Sequence, residues 1–98
     1  MAVVEQVKAA DWESWIDDRD GVLIDVREPM EWAMGVLPGA VRIRLMEVPQ
    51  RLDDLDPDTP YLIVCRSGNR SQQAAAFLTN LGYHAANLSG GMVALGKA

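Results

Sequence analysis

Short runs of consecutive apolar residues, separated by stretches with helical spacing, set the pattern of this 98-residue chain. Val22-Leu23-Ile24-Asp25-Val26 and Tyr61-Leu62-Ile63-Val64 are apolar with little alternation, as expected for strands buried on both faces of a sheet. Val3-Val4 predicts a first strand, Val41 to Ile43 a short one, and Ala85 to Leu88 a last one. Between these runs, Trp12, Trp15 and Ile16 share one helical face behind Asp11, a candidate N-cap. Pro29 suits the first turn of a helix through Met34. Val48, Leu52 and Leu55 fall on one face of a further helix, broken at Asp56-Pro57-Asp58. Ala74, Phe77, Leu78 and Leu81 mark a longer helix that Gly82 stops. Asp20-Gly21 and Leu37-Pro38-Gly39-Ala40 read as turns, and Gly90-Gly91 opens a short final helix. Strands alternating with helices predict parallel pairing in a layered α/β fold. The length fits one domain over residues 1–98, with no internal repeat, linker or low-complexity tract.

Composition narrows the function classes. Hydrophobic residues make up 49% of the chain, enough for a modest core without disulfides. The net charge of −5 argues against a nucleic-acid partner, which needs a basic surface. No apolar run reaches the ~18 residues of a membrane span, and the N-terminus lacks the features of a signal peptide. A cytoplasmic location is therefore expected. The cations are mostly arginine, whose planar fork suits oxyanions. With one cysteine, Cys65, and one histidine, His84, an intramolecular disulfide and a Cys/His zinc site are both excluded.

The chemistry concentrates in Cys65-Arg66-Ser67-Gly68-Asn69-Arg70-Ser71, between a strand end and a helix N-terminus. In open α/β sheets, ligands bind beyond the carboxyl ends of the strands. Unpaired backbone N–H groups and the helix dipole make such a loop an anion cradle. Gly68 permits the tight turn, and Arg66 and Arg70 add charge. A thiol there loses its proton more readily than a free cysteine, whose pKa is about 8.5, and the thiolate is the nucleophile. His84 lies beyond the Leu81-Gly82 stop and reads as a surface or strand-edge residue, so activation falls to the loop amides. Ser71 reads as an N-cap.

Four segments in order make the chain similar to the rhodanese-like domain family, over roughly Val3 to Leu95. They are Val22 to Arg27 with its Asp-x-Arg ending, Gly35-Val36-Leu37-Pro38-Gly39-Ala40, the Cys65 loop with its strand, and Leu88-Ser89-Gly90-Gly91-Met92. The resemblance implies a three-layer α/β/α domain around a parallel sheet of about five strands. It also implies a sulfurtransferase that carries sulfur as a persulfide on Cys65, taken from a small anionic donor such as thiosulfate. The acceptor is a thiol or a protein, and no cofactor or metal is called for. Arg66, Ser67, Gly68, Asn69, Arg70 and Ser71 would surround the substrate. Asp25 and Arg27 would lie at the sheet's carboxyl edge, with Arg27 expected to pair with Glu28 or Glu31. Arg42 and Arg44 face either the pocket or solvent. Val36, where the family usually has His, and Leu95, where Trp often stands, depart from the pattern. A sulfur carrier without turnover of its own is the second reading. A cysteine phosphatase or arsenate reductase is the third, disfavoured because that loop is one residue longer.

Overall fold

The computed structural model describes residues 3–98. Five strands form one sheet: β1 (Glu5–Val7), β2 (Val22–Asp25), β3 (Val41–Arg42), β4 (Tyr61–Val64) and β5 (Ala85–Leu88). Their order is β1-β5-β4-β2-β3 and every neighbouring pair is parallel, with Asp25 beside Val64 where β2 and β4 end. From β2 the chain moves outward to β3 on one edge. From β4 it moves to β5 in the opposite direction. The β2–β4 boundary is thus the switch point at which an open α/β sheet forms a ligand crevice.

The helices are α1 (Trp12–Arg19), α2 (Pro29–Trp32), α3 (Asn69–Asn80) and α4 (Gly91–Ala94). Consecutive strand residues point to opposite faces, so the apolar runs feed two cores. Leu23, Leu62, Val64 and Leu88 meet Trp15 of α1 and Met92 of α4 on one face. Ile24, Val26 and Ile63 meet Ala74 and Leu78 of α3 on the other, together with Val48 and Leu55. The result is the expected three-layer α/β/α arrangement.

The local differences have identifiable causes. The first strand starts at Glu5, and of Val3-Val4 only Val4 is buried. Asp11 sits at the N-cap of α1 but its side chain makes no cap bond, because Ala9–Asp11 is already a 3₁₀ turn. Helix α2 ends at Trp32, short of Met34. The helix expected around Val48, Leu52 and Leu55 is two 3₁₀ segments, Leu45–Gln50 and Leu52–Asp54. Pro49 lies inside the first, where its missing N–H prevents a continuous α-helix. Leu81 is 51% exposed rather than part of the α3 core face. Gly82 terminates the helix as expected, in the left-handed region at φ 92°.

Candidate active site

Cys65 follows β4 directly and is 1% exposed. Two donors reach its Sγ: the backbone N–H of Gly68 at 3.1 Å and the hydroxyl of Ser71 at 3.2 Å. The peptides are held in this orientation from outside. The N–H groups of Met92 and Val93, at the start of α4, donate to the carbonyls of Cys65 and Arg66, each at 2.9 Å. With those carbonyls turned away, the loop amides face the sulfur. Gly91 makes this close approach possible. Its φ is +55°, and a Cβ there would collide with both carbonyl oxygens. Gly68 sits opposite at φ +101°, where a Cβ would come within 3.1 Å of the Gly90 nitrogen.

Burial by itself pushes the Cys65 thiol up. The Ser71 hydroxyl, and then the backbone amides of Ser71, Gly68 and Ser67, more than offset it and leave the pKa below the ordinary thiol value. Hydrogen bonding to the charged form is the physical cause. The arginines contribute less to this than their position in the sequence implies. Arg66 is exposed, and Arg70 is committed to Glu31 through two bonds of 2.7 and 2.8 Å. The Arg70 fork, with help from the Glu28 N–H, holds the Glu31 carboxyl down at about 2. A cleft of about 120 Å³ beside the loop is lined by Arg27, Glu31, Met34, Arg66 and Lys97.

Asp25 and Arg27 form a pair of their own, which corrects the expected partners. The Arg27 guanidinium donates to the Asp25 carboxylate at 2.8 to 3.0 Å, and both residues are buried. Glu28 instead meets Arg44, which also holds Glu47. Arg27 Nη2 also donates to the carbonyl of Gly35 at 2.8 Å, tying the end of β2 to the turn that carries Val36 and Leu37. A buried pair of this kind fixes geometry more than it adds stability.

The rhodanese-like domain family model matches residues 8–98. The chain belongs to this family. Over 94 residues it is 40% identical to YtwF of Bacillus subtilis, a protein named for sulfur transfer, covering 96% of this chain and 91% of that one. It is 40% identical over 79 residues to a sulfurtransferase of Allochromatium vinosum, covering 80% and 74%. Among solved structures it is similar to a reduced CoADR-RHD of Bacillus anthracis, with 35% identity and a TM-score of 0.88. That match covers 96% of this chain and 17% of the longer one. The activity of this rhodanese-like domain is sulfur transfer.

Within the rhodanese-like domain, the predicted loop residues do not share one environment. Gly68 and Ser71 are buried against the sulfur, Arg70 is half-buried, and Arg66, Ser67 and Asn69 are exposed. Ser71 is not the N-cap of α3; Gly68 is, and Ser71 lies inside the first turn. Its hydroxyl lies 2.6 Å from Asn87 Oδ1, and Asn87 Nδ2 donates to Gln6 Oε1 at 2.9 Å. Neither Asn87 nor Gln6 was legible as a site residue. The available signal was a single polar residue in the otherwise apolar run Ala85 to Leu88. His84 stands at the amino end of the sheet, opposite Cys65, with Nε2 3.6 Å from Glu5. Arg42 is exposed and stacks over Trp32. Of the two departures, Val36 is 38% exposed, and Leu95 is partly buried against the α1 and α4 core.

Proposed function

We propose that Cys65 carries sulfane sulfur as a persulfide, taken from a small anionic donor such as thiosulfate and passed to a thiol or protein acceptor. Residues 1–98 would act as one cytoplasmic domain. The reading rests on one observation: the Cys65 sulfur, with no histidine near it, receives an amide and a hydroxyl donor at 3.1 and 3.2 Å. Such donors stabilise a sulfur anion before and after it gains a second sulfur. The Cys65 thiolate attacks the outer sulfur of thiosulfate. A sulfur–sulfur bond forms, and the bond to the sulfonate sulfur breaks with its electron pair leaving as sulfite. An acceptor thiolate then takes the terminal sulfur and regenerates the Cys65 thiolate. In this scheme Arg66, beside Lys97 in the cleft, draws the anionic donor in, and the exposed Ser67 and Asn69 form the rim. Asp25 and Arg27 support the floor of the cleft. Among the described residues, no helix is long and apolar enough to cross a membrane.

The test is intact mass after thiosulfate treatment, beside thiosulfate:cyanide turnover and aryl-phosphate hydrolysis. The expected result is a gain of one sulfur that Cys65→Ser abolishes, with turnover of thiosulfate and none of the phosphate ester. A gain of sulfur without turnover would assign a carrier. Phosphate-ester hydrolysis without a mass gain would overturn the proposal.

A further inference from the structure

Ser71 has one hydroxyl proton and two acceptors. Its Oγ is 2.6 Å from Asn87 Oδ1 and 3.2 Å from Cys65 Sγ. With a neutral thiol the conflict resolves itself: Ser71 donates to Asn87, and the thiol proton points at the Ser71 oxygen. A thiolate or persulfide anion has no proton to give, so Ser71 must turn its own proton to the sulfur. Asn87 Oδ1 would then face the lone pairs of Ser71 at short range, in a residue only 4% exposed. A buried acceptor in that position loses its partner, which is costly.

A carboxamide can resolve this, because its two ends have nearly the same shape and opposite hydrogen-bonding character. Half a turn of Asn87 presents Nδ2 to the Ser71 oxygen and Oδ1 to Gln6. Gln6 is the direct cross-strand neighbour of Asn87 in the β1–β5 register, so the two side chains lie on the same face. Gln6 is exposed and touches Gln72 of α3 at 2.6 Å. Its Nε2 is the donor in that contact, so the matching half turn sets Oε1 against Gln72 Oε1, and Gln72 must turn its own carboxamide in step, in contact with water. All three amides line a groove of about 330 Å³ in which no described residue is charged.

We propose that Asn87 is a positioning residue for the sulfur chemistry: with Gln6 it forms a reversible carboxamide chain that lets the Ser71 hydroxyl donate to the anionic Cys65 sulfur. The chain runs outward from the thiol and inward toward the thiolate, and the thiol proton itself leaves to water. The proposal rests on Cys65 being the reactive sulfur, but not on the identity of its donor. The charged groups on the surrounding elements are otherwise engaged. Asp25 and Arg27 at the end of β2 hold each other, and Glu31 of α2 holds Arg70 of α3. Arg66 is exposed and Lys97 lines the cleft on the far side of the loop. Glu5 of β1 is turned to the opposite face, where it accepts from Trp15 and approaches His84.

The experiment is the pH profile of iodoacetamide alkylation of the full chain, with thermal melting to show that each variant is folded. Asn87→Asp keeps the shape but only accepts, so it locks the Ser71 proton away from the sulfur. The alkylation midpoint should rise, and the rate at neutral pH should fall about tenfold, the equivalent of one pH unit. Asn87→Leu leaves Ser71 free and should cost about threefold or less in that rate. In a Ser71→Ala background, Asn87→Asp should lose most of its effect. An equal effect in that background means simple charge repulsion and overturns the proposal, as does an Asn87→Leu midpoint equal to that of Asn87→Asp. Should Asn87→Asp not fold, the exposed Gln6→Glu decides. It holds Asn87 Nδ2 toward β1 and should raise the midpoint in the wild-type background but not in Asn87→Leu. An unchanged midpoint in the wild-type background overturns the proposal. Persulfide formation, read separately by mass, reports on the donor chemistry and not on this chain.

Discussion

Arg70 grips Glu31 with both arms of its guanidinium, at 2.7 and 2.8 Å, and so ties the start of α3 to α2 across 39 positions of sequence. Glu31 completes the arrangement by accepting the Glu28 N–H at 3.1 Å. One carboxylate therefore organises both the helix after β2 and the end of the cysteine loop. Bidentate pairs of this kind add geometric specificity as well as energy.

That pair has a pH signature. The Glu31 carboxyl lies at about 2 when folded, below its ordinary 4.5, so its contribution to stability is fully present above 4.5. The contribution is lost as pH falls from 4.5 through 2. Thermal melts across this range should show an acid-induced decline that is shallower in Glu31→Gln and in Arg70→Ala. A decline of equal slope in all three proteins would mean that the pair contributes nothing.

Arg70→Ala should lower sulfur transfer from thiosulfate more than Arg66→Ala does. Arg70 is half-buried and anchors the loop, whereas Arg66 is exposed at the cleft. Arg66→Ala should act mainly on KM, with an effect that fades in added salt. Steady-state kinetics at low and high ionic strength check both halves. The assignment fails if Arg66→Ala is the more damaging and salt makes no difference.

Gly91→Ala and Gly82→Ala both place a side chain at positive φ, +55° and +92°. The backbone strain alone costs roughly 1–3 kcal/mol. Only Gly91 adds a collision, with the carbonyls of Cys65 and Arg66; among the described residues, nothing lies within 4 Å of the Cβ position at Gly82. Gly91→Ala should therefore lose the larger share of stability and should also raise the alkylation midpoint of Cys65, as the amides turn away from the sulfur. Gly82→Ala should lower the melting temperature and leave that midpoint unchanged.

Cys65 itself should alkylate with a midpoint below the free-cysteine value of about 8.5, because the hydroxyl and amide donors favour its charged form. Ser71→Ala should move the midpoint upward more than Arg66→Ala does. The order follows from distance and burial, since Ser71 is fully buried at 3.2 Å from the sulfur and Arg66 is exposed. A wild-type midpoint at or above the free value would remove the basis for thiolate activation.

The layered parallel sheet and the position of Cys65 at the end of a central strand were legible in the chain, whereas the first strand lay at Glu5–Val7 and not at Val3-Val4. Unbroken apolar runs such as Tyr61 to Val64 have few ways to be buried other than the middle of a covered sheet. A Gly-containing polar segment between such a strand and a helix marks the loop, although the N–H groups of α4 fix the orientation of its peptides. The partners of the charged and polar side chains were decided only by the tertiary structure. Arg27 took Asp25 rather than Glu28 or Glu31, because extended backbone at the end of β2 brings residues two apart to the same side. Glu31 took Arg70 and Asn87 took Ser71 because parallel strand order places β5 beside β4, with α3 packed across them. Local pattern reports which residues are buried. Which polar group answers another depends on the crossing of distant elements, where a hydrogen bond made or missed within an ångström decides the chemistry.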